Sequence, residues 1–381
     1  MPTKVLEVNV DDLYSGGVFS LVKNVIIHKK SDIKIDIASM ERFVNQNNVV
    51  ELEEYDTNIY YFGYEGSKIK KQYMIYRNLK ELLLEKKYDY IHIHSDTAVR
   101  LFLMGLAAKH AGNKNIILHS HASDIDGNNR YIKLCMHYIS RGFLKRIGTK
   151  FAACSSKASK WMFPCIDKKD IKIIYNGIDL DKFKFDKDTR IMIRKKLNIS
   201  DELLIGHVGR FNYSKNHIFM LKIARELQKR KIRFKYLFVG DGPWFESIKS
   251  KAYNLGVAES CVFYGTSDRV NELYQAMDVF TLPSHNEGFG ICAIEAETSG
   301  LPSIFSDEVP LDVKIIDEVR FLPINRYNVG TWVDMIIEMK EMTVDRDLIW
   351  ENLNKEKMSI NNTVNGFMNL YVHEKDGKGL R

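Results

Sequence analysis

One loop-to-helix segment constrains this chain most: Pro283-Ser284-His285-Asn286-Glu287-Gly288-Phe289-Gly290-Ile291-Cys292-Ala293-Ile294-Glu295. It carries two carboxylates, Glu287 and Glu295, with Gly288-Phe289-Gly290 after the first. Upstream, residues 273–282 read as a short helix and then an apolar strand. The segment is therefore predicted to run strand, loop, helix, with Glu287 on the loop and Glu295 inside the helix. Backbone N–H groups of such a loop, and the helix N-terminus behind it, face whatever lies beyond the strand's carboxyl end. That suits an anionic or hydroxyl-rich ligand. One carboxylate can hold the hydroxyls of one ring and the other those of a second.

A chain of 381 residues suggests two domains. Its 45% apolar and 28% charged residues are globular values. A net charge of +7 favours anionic partners such as nucleotides, phospholipids or pyrophosphate-linked substrates, but is too diffuse to demand nucleic acid. Five cysteines (Cys135, Cys154, Cys165, Cys261 and Cys292) are scattered, without zinc-ligand spacing, which fits a reduced cytoplasmic compartment. The N-terminus has no secretory h-region, and no apolar run is long enough to span a bilayer, so any membrane contact is expected to be peripheral.

Strands and helices alternate through the first half: 4–10, 33–38, 90–94, 115–119, 151–154 and 171–175 read as strands. Residues 179–201 are charged and poorly apolar and read as an interdomain linker. A second series follows, with strands at 203–208, 236–239, 261–264, 279–282 and 303–305. This pattern predicts two doubly wound parallel sheets, which bind ligands outside the carboxyl ends of their strands.

Several motifs fall at such ends. Gly16-Gly17 follows the first strand and can bring a phosphate or sugar close to bare backbone N–H groups, although it is not a dinucleotide fingerprint and also reads as an ordinary tight turn. Arg210 and Lys215 are two cations on the loop Gly209–His217, where a pyrophosphate leaving group would need positive charge. Gly240-Asp241-Gly242-Pro243 is a turn leading into a helix. His121 and Asp124 end another strand, and Asp124-Ile125-Asp126 matches a short metal-binding pattern by chance; no metal is expected. His92 and His94 are taken to face opposite sides of their strand, His94 being the one able to reach a ligand. Two basic, apolar stretches, 68–85 (with Ile69, Tyr73, Tyr76, Leu79 and Leu83) and 141–151, suit either helices covering the sheet or contact with an anionic membrane.

Together these pieces resemble glycosyltransferase family 4, the retaining, nucleotide-sugar-dependent enzymes of the GT-B fold. The resemblance rests on 207–215, 237–243 and above all 262–307, with Leu282-Pro283-Ser284, Glu287-Gly288-Phe289-Gly290, Glu295-Ala296 and Ser299-Gly300-Leu301-Pro302. The subgroup is similar to bacterial capsular and exopolysaccharide transferases. The resemblance implies two Rossmann-like domains facing across a cleft: an acceptor domain at 1–178 rejoined by 363–381, and a donor domain at 179–362. It implies that Arg210 and Lys215 neutralise the donor diphosphate and that Glu287 contacts the transferred sugar. Glu295 would bind the ribose hydroxyls, while Gly288, Phe289, Gly290 and Ile291 would supply N–H groups. Gly16 and Gly17 would form the first domain's glycine loop, and His121 would lie near the anomeric carbon. It further implies a UDP-sugar donor, a lipid-linked saccharide acceptor and no metal or other cofactor. The stretch 308–323 is short for the family, leaving pocket closure open. Two other readings compatible with these residues are a GT-B nucleotide-sugar epimerase and a non-catalytic sugar-binding subunit of a transferase complex.

Overall fold

The computed structural model describes residues 2–13, 17–125, 129–342 and 344–372, apart from the side chains of Lys68 and Ile69. Gly16, Asp126, the Ile69 side chain and the tail from residue 373 therefore lie outside the described residues. The chain divides into two units, residues 1–177 with 359–381, and residues 178–358.

The first unit holds seven strands: Thr3–Val8 (β1), Ile33–Ser39 (β2), Ile59–Tyr61 (β3), Tyr90–Ser95 (β4), Ile116–Ser120 (β5), Lys150–Ala153 (β6) and Ile171–Ile173 (β7). All pairs are parallel, in the order β3-β2-β1-β4-β5-β6-β7. The second unit holds Leu203–Val208 (β8), Phe234–Val239 (β9), Cys261–Gly265 (β10), Val279–Leu282 (β11), Ser303–Ser306 (β12) and Val319–Leu322 (β13), again all parallel, in the order β10-β9-β8-β11-β12-β13. In each sheet the chain runs outward from the first strand, then reverses to its other side. The reversal, at β1/β4 and at β8/β11, is where helices on opposite faces diverge and a crevice opens.

The central strands are near-continuous runs of Val, Ile, Leu and Phe because both of their faces are covered. One core gathers Val5, Ile35, Ile37, Ile117 and Phe367; the other gathers Ile205, Phe219, Phe238, Ile304 and Trp332. Polar residues in such strands are costly unless bonded, which makes Glu7, His92, His94 and His119, all fully buried, conspicuous.

Three departures from the sequence reading have clear causes. Residues 179–201 are not a linker: Lys187–Lys196 is a helix, capped by Asp186 accepting from the Thr189 N–H, and it packs on Val270–Ala276 of its own unit. Its charges misled, because Arg190 and Arg194 turn inward to Asp278. The edge strands β3 and β13 went unread because they are only three and four residues long. The stretch 141–151 is not one helix: Leu144 and Ile147 are buried beneath a short 3-10 turn, and Lys150 begins β6. The helix Lys68–Glu85 fits the covering-helix reading, burying Ile75, Leu79 and Leu83 and packing on Ala98–His110, although Tyr73 of the expected stripe is exposed.

The last helix, Ile360–Leu370, packs on Gly17–His28 of the first unit. The chain re-enters that unit at Ser359, whose hydroxyl caps the helix by accepting from the Asn362 N–H. Gly177 stands against this cap: a Cβ there would sit 2.3 Å from the Ser359 carbonyl oxygen. Its N–H donates to Thr363 Oγ1 at 2.8 Å, and that hydroxyl donates on to the Tyr175 carbonyl.

Candidate functional site

In the second unit, the loops after β8 and β11 are stitched together. Asn216 ends the first loop in the left-handed conformation and donates its side-chain amide to the Pro283 carbonyl at 3.0 Å. The His285 N–H donates to the Ser214 carbonyl at 2.7 Å, and the Tyr213 and His285 rings stack. On this frame Lys215 Nζ donates to Glu287 Oε1 at 2.5 Å, and Ser284 Oγ donates to the same oxygen at 2.6 Å. Both charged side chains are largely buried, at 16% and 10% exposure. Burial works against the Lys215 charge, but Glu287, with Cys292 and Glu295 behind it, holds its pKa above the ordinary lysine value. An ammonium has three hydrogens, so the Glu287 bond occupies one.

Gly290 (φ +96°) caps the next helix, Ile291–Thr298. This helix carries Glu295, whose Oε2 accepts from the Tyr274 hydroxyl at 2.8 Å. Desolvation raises the Glu295 pKa. The structure thus brings Lys215, Ser284 and Glu287 into one hydrogen-bonded group, with Glu295 close enough to act on Lys215 electrostatically. Gly288, Gly290 and Ile291 form the turn into the helix, while the Phe289 ring is buried. Arg210 lies on the same loop as Lys215, but exposed.

The Gly240-Asp241-Gly242 turn has a structural task in this frame. Phe211 N–H donates to the Asp241 carbonyl at 2.9 Å, and Trp244 N–H to the Phe211 carbonyl at 3.0 Å. Gly240 has φ +132°, and a Cβ there would lie 2.2 Å from the Gly209 carbonyl oxygen. The turn is pressed against the loop that carries Arg210, which only glycine permits.

In the first unit, His121 is bonded through Nε2 to His94 Nδ1 at 2.8 Å. Behind it is a cluster that the sequence reading missed. His94 Nε2 bonds Glu7 Oε2 at 2.6 Å, the Tyr371 hydroxyl donates to Glu7 Oε1, and His92 Nδ1 lies 2.8 Å from the Tyr371 oxygen. His92 Nε2 lies 3.1 Å from His119 Nδ1. The assignment of His92 and His94 to opposite faces is wrong: residues two apart on a strand share a face, and these rings are 4.3 Å apart between centroids. Read with that period, His92-x-His94 and His119-x-His121 on neighbouring strands, with Glu7 across from His92, signal one polar face. Nitrogens of His92, His94 and His119 lie within 4.8 Å of one another, a spacing compatible with a metal, yet each is within hydrogen-bond reach of another side chain except His119 Nε2. Gly17 opens the first helix. Asp124 accepts from Arg130 Nη2 on both carboxylate oxygens and from the Ile125 N–H on Oδ1.

Two tandem parallel sheets of the same winding, the second bearing a lysine–glutamate pair and a second glutamate at its switch point, define a GT-B protein. Residues 189–355 match the family profile described as "Glycosyl transferases group 1", and residues 44–182 match "Glycosyltransferase Family 4". Each half of the chain is thus similar to glycosyltransferases, the first half to glycosyltransferase family 4. It is 32% identical over 237 residues to the putative glycosyltransferase EpsF of Bacillus subtilis, a match spanning 61% of this chain and 61% of that relative. It is 25% identical to the UDP-Gal:alpha-D-GlcNAc-diphosphoundecaprenol alpha-1,3-galactosyltransferase of Escherichia coli, over 60% of each chain. These matches thus span about three fifths of each relative's length. Among solved structures, Anabaena Alr3699/HepE in complex with UDP-glucose superposes with a TM-score of 0.76 at 16% identity, covering 96% of this chain and 99% of that one.

Proposed function

We propose that this chain is a retaining glycosyltransferase. It moves a hexose or N-acetylhexosamine from a UDP-sugar to a lipid-linked saccharide in capsular or exopolysaccharide synthesis. The observation that carries this reading is the Lys215–Glu287–Ser284 group at the β8/β11 switch point, one helical entrance away from the Tyr274-held Glu295. Glu295 suits ribose hydroxyls and Glu287 the transferred sugar. The remaining hydrogens of the Lys215 ammonium, with the Arg210 guanidinium, suit the diphosphate. During transfer the bond from the anomeric carbon to the diphosphate oxygen breaks. The acceptor oxygen bonds to that carbon on the same face, and its proton passes to the departing oxygen. Cations aimed at that oxygen stabilise the charge that develops there, a task that these side chains perform without a metal. UDP is favoured because the E. coli relative is named for UDP-Gal and the HepE structure holds UDP-glucose.

A lipid-linked acceptor and contact with an anionic membrane are supported by the helix Arg130–Arg141. Its Tyr131, Ile132, Met136, Tyr138 and Ile139, and Phe143 just beyond, are all exposed beside Lys133, Arg141 and Arg146. Such a face suits an anionic lipid surface.

The test is turnover of UDP-glucose, UDP-galactose and UDP-N-acetylhexosamines, with and without a saccharide-lipid acceptor and EDTA. Transfer that needs acceptor and survives EDTA is expected. Conversion of donor alone would establish an epimerase, loss with EDTA would overturn metal independence, and no UDP binding at all would remove the transferase reading.

A further inference from the structure

In the second unit, the Tyr274 hydroxyl donates to Glu295 Oε2 at 2.8 Å. Tyr274 lies in the last turn of the helix Val270–Ala276, and Glu295 in the last turn of the helix Ile291–Thr298. The last carbonyls of a helix lack partners within it and form the negative end of its dipole. Two such ends side by side repel, and a cation between them offsets the repulsion. Arg346 stands there. Its Nε donates at 2.6 Å to the carbonyl of Ser299, which ends the Glu295 helix. Its Nη2 reaches the Tyr274 carbonyl at 3.4 Å, and its Nη1 the Gln275 and Met277 carbonyls at 3.3 and 3.5 Å.

These bonds close a circuit. Ser299 donates through its N–H, at 3.1 Å, and its hydroxyl, at 3.0 Å, to the backbone carbonyl of Glu295. Arg346 therefore holds Glu295 through Ser299, and holds Tyr274 by its own carbonyl, where the two side chains meet on the far side of the circuit. Arg190 and Arg194 also bond the end of the Tyr274 helix, but they tie it to their own helix and to Asp278. The Arg346 guanidinium is aimed by its surroundings. The Phe185 ring lies against it, 4.2 Å from ring centre to Cζ. Asp345 caps the helix that Arg346 begins, accepting from the Asp347 and Leu348 N–H groups. Gly300, at φ +64°, leaves the space that Arg346 fills: a Cβ there would lie 2.9 Å from the Arg346 Cβ. Burial, then the neighbouring Arg190, lowers the Arg346 pKa to about 9, which leaves it a cation at neutral pH.

We propose that Arg346 is a positioning residue for the donor site: it clamps the ends of the helices Val270–Ala276 and Ile291–Thr298 together and so keeps Tyr274 on Glu295. It touches no ligand. It sets the place and the rotamer of the carboxylate that meets the ribose hydroxyls, and its loss acts on nucleotide affinity through Tyr274. This deepens the glycosyl-transfer reading and rests on it for the ribose contact at Glu295.

The test is calorimetric titration of the full chain with UDP and with dideoxy-UDP, which lacks the ribose hydroxyls. Wild type, Arg346→Lys, Tyr274→Phe and the double variant are compared, and the same four are unfolded with denaturant. Lysine keeps the charge but offers a single nitrogen in place of the guanidinium fork, so it cannot hold both helix ends. In each single variant UDP affinity should fall about tenfold, the scale of one lost hydrogen bond to a charged group, while dideoxy-UDP affinity stays at the wild-type value. General loosening of the unit would weaken both ligands together. The double variant should lose no more UDP affinity than either single one, and the unfolding free energies should be non-additive in the same way. If Arg346→Lys does not fold, Gly300→Ala keeps the guanidinium but displaces it, and should lower UDP affinity with the same selectivity. Unchanged UDP affinity in Arg346→Lys would overturn the proposal. So would equal weakening of both ligands, or losses that multiply to about a hundredfold in the double variant. If the wild type binds no UDP, or does not prefer it to dideoxy-UDP, the ribose contact falls instead. The unfolding cycle then decides the clamp alone: non-additive effects support it and additive effects end it.

Discussion

Lys215→Met is the most informative single change, because it separates the worth of the Lys215–Glu287 pair from its role toward a ligand. Methionine keeps the length and apolar stem of lysine and removes the charge beside Glu287, which is buried at 8% exposure and also accepts from Ser284 Oγ on Oε1. Removing one partner of a well-buried pair costs about 3–5 kcal/mol. The residual exposure of 16% and 10% places this pair at the lower end, ~3 kcal/mol. Glu287→Gln should cost a similar amount. The double variant leaves neither charge uncompensated and should cost much less than the sum, giving a coupling energy of roughly 2–3 kcal/mol. For a unit of this size that is about 4–12 °C in Tm, read by calorimetry or by denaturant unfolding of all four proteins. The sign of the pH dependence follows from Lys215 being raised above its ordinary value. The stabilisation is complete below the unfolded lysine pKa of about 10.4 and is lost only as pH rises above it through the folded value. The coupling should therefore be flat across neutral pH. Additive single-variant effects, or a coupling that vanishes near neutrality, would refute the pair as described.

Three further outcomes are expected. Tyr274→Phe removes the hydroxyl that holds Glu295 and should weaken UDP binding by about 1–3 kcal/mol in calorimetric titration, with a smaller effect on Tm. Gly240→Ala forces a Cβ to within 2.2 Å of the Gly209 carbonyl oxygen at a positive φ; it should cost at least roughly 1–3 kcal/mol in unfolding experiments and displace the Arg210 loop, lowering UDP affinity as well. Glu297 is fully buried, and its pKa is raised to about 8 by burial, although it accepts the N–H groups of Ile315 and Ile316. A raised acid binds its proton more tightly when folded, so stability should fall as pH rises from the ordinary carboxylate value of about 4.3 toward 8. Glu297→Gln should abolish that slope in melts taken across the range.

The parts of the site legible in the sequence were those whose partners are local. Gly288-Phe289-Gly290 before an apolar helix places Glu287 and Glu295 on either side of one turn, whatever the rest of the chain does. Arg210 and Lys215 are legible for the same reason: a glycine after an apolar strand announces a loop. What escaped was long-range. The charges of Arg190 and Arg194 read as solvated until Asp278, more than eighty residues away, was seen to receive them. The histidines of β4 and β5 escaped through a misread strand period, and Tyr371 because nothing near it hints at Glu7, 364 residues earlier. Tyr274 stood within a recognised motif, but its hydrogen bond to Glu295 needed coordinates to be seen.

Local patterning determined that this chain would alternate parallel strands with helices, where its loops would fall, which loop would carry two cations, and which loop and following helix would carry a carboxylate each. Hydrophobic period and glycine placement act over a few residues, so a linear sequence suffices to read them. Only the tertiary structure decided which of those charges meet. Lys215 finds Glu287, Tyr274 finds Glu295, and Tyr371 finds Glu7, because hydrogen bonds in a dry interior depend on tenths of an ångström. That alignment is set by strand order and by the return of the last helix, not by spacing along the chain.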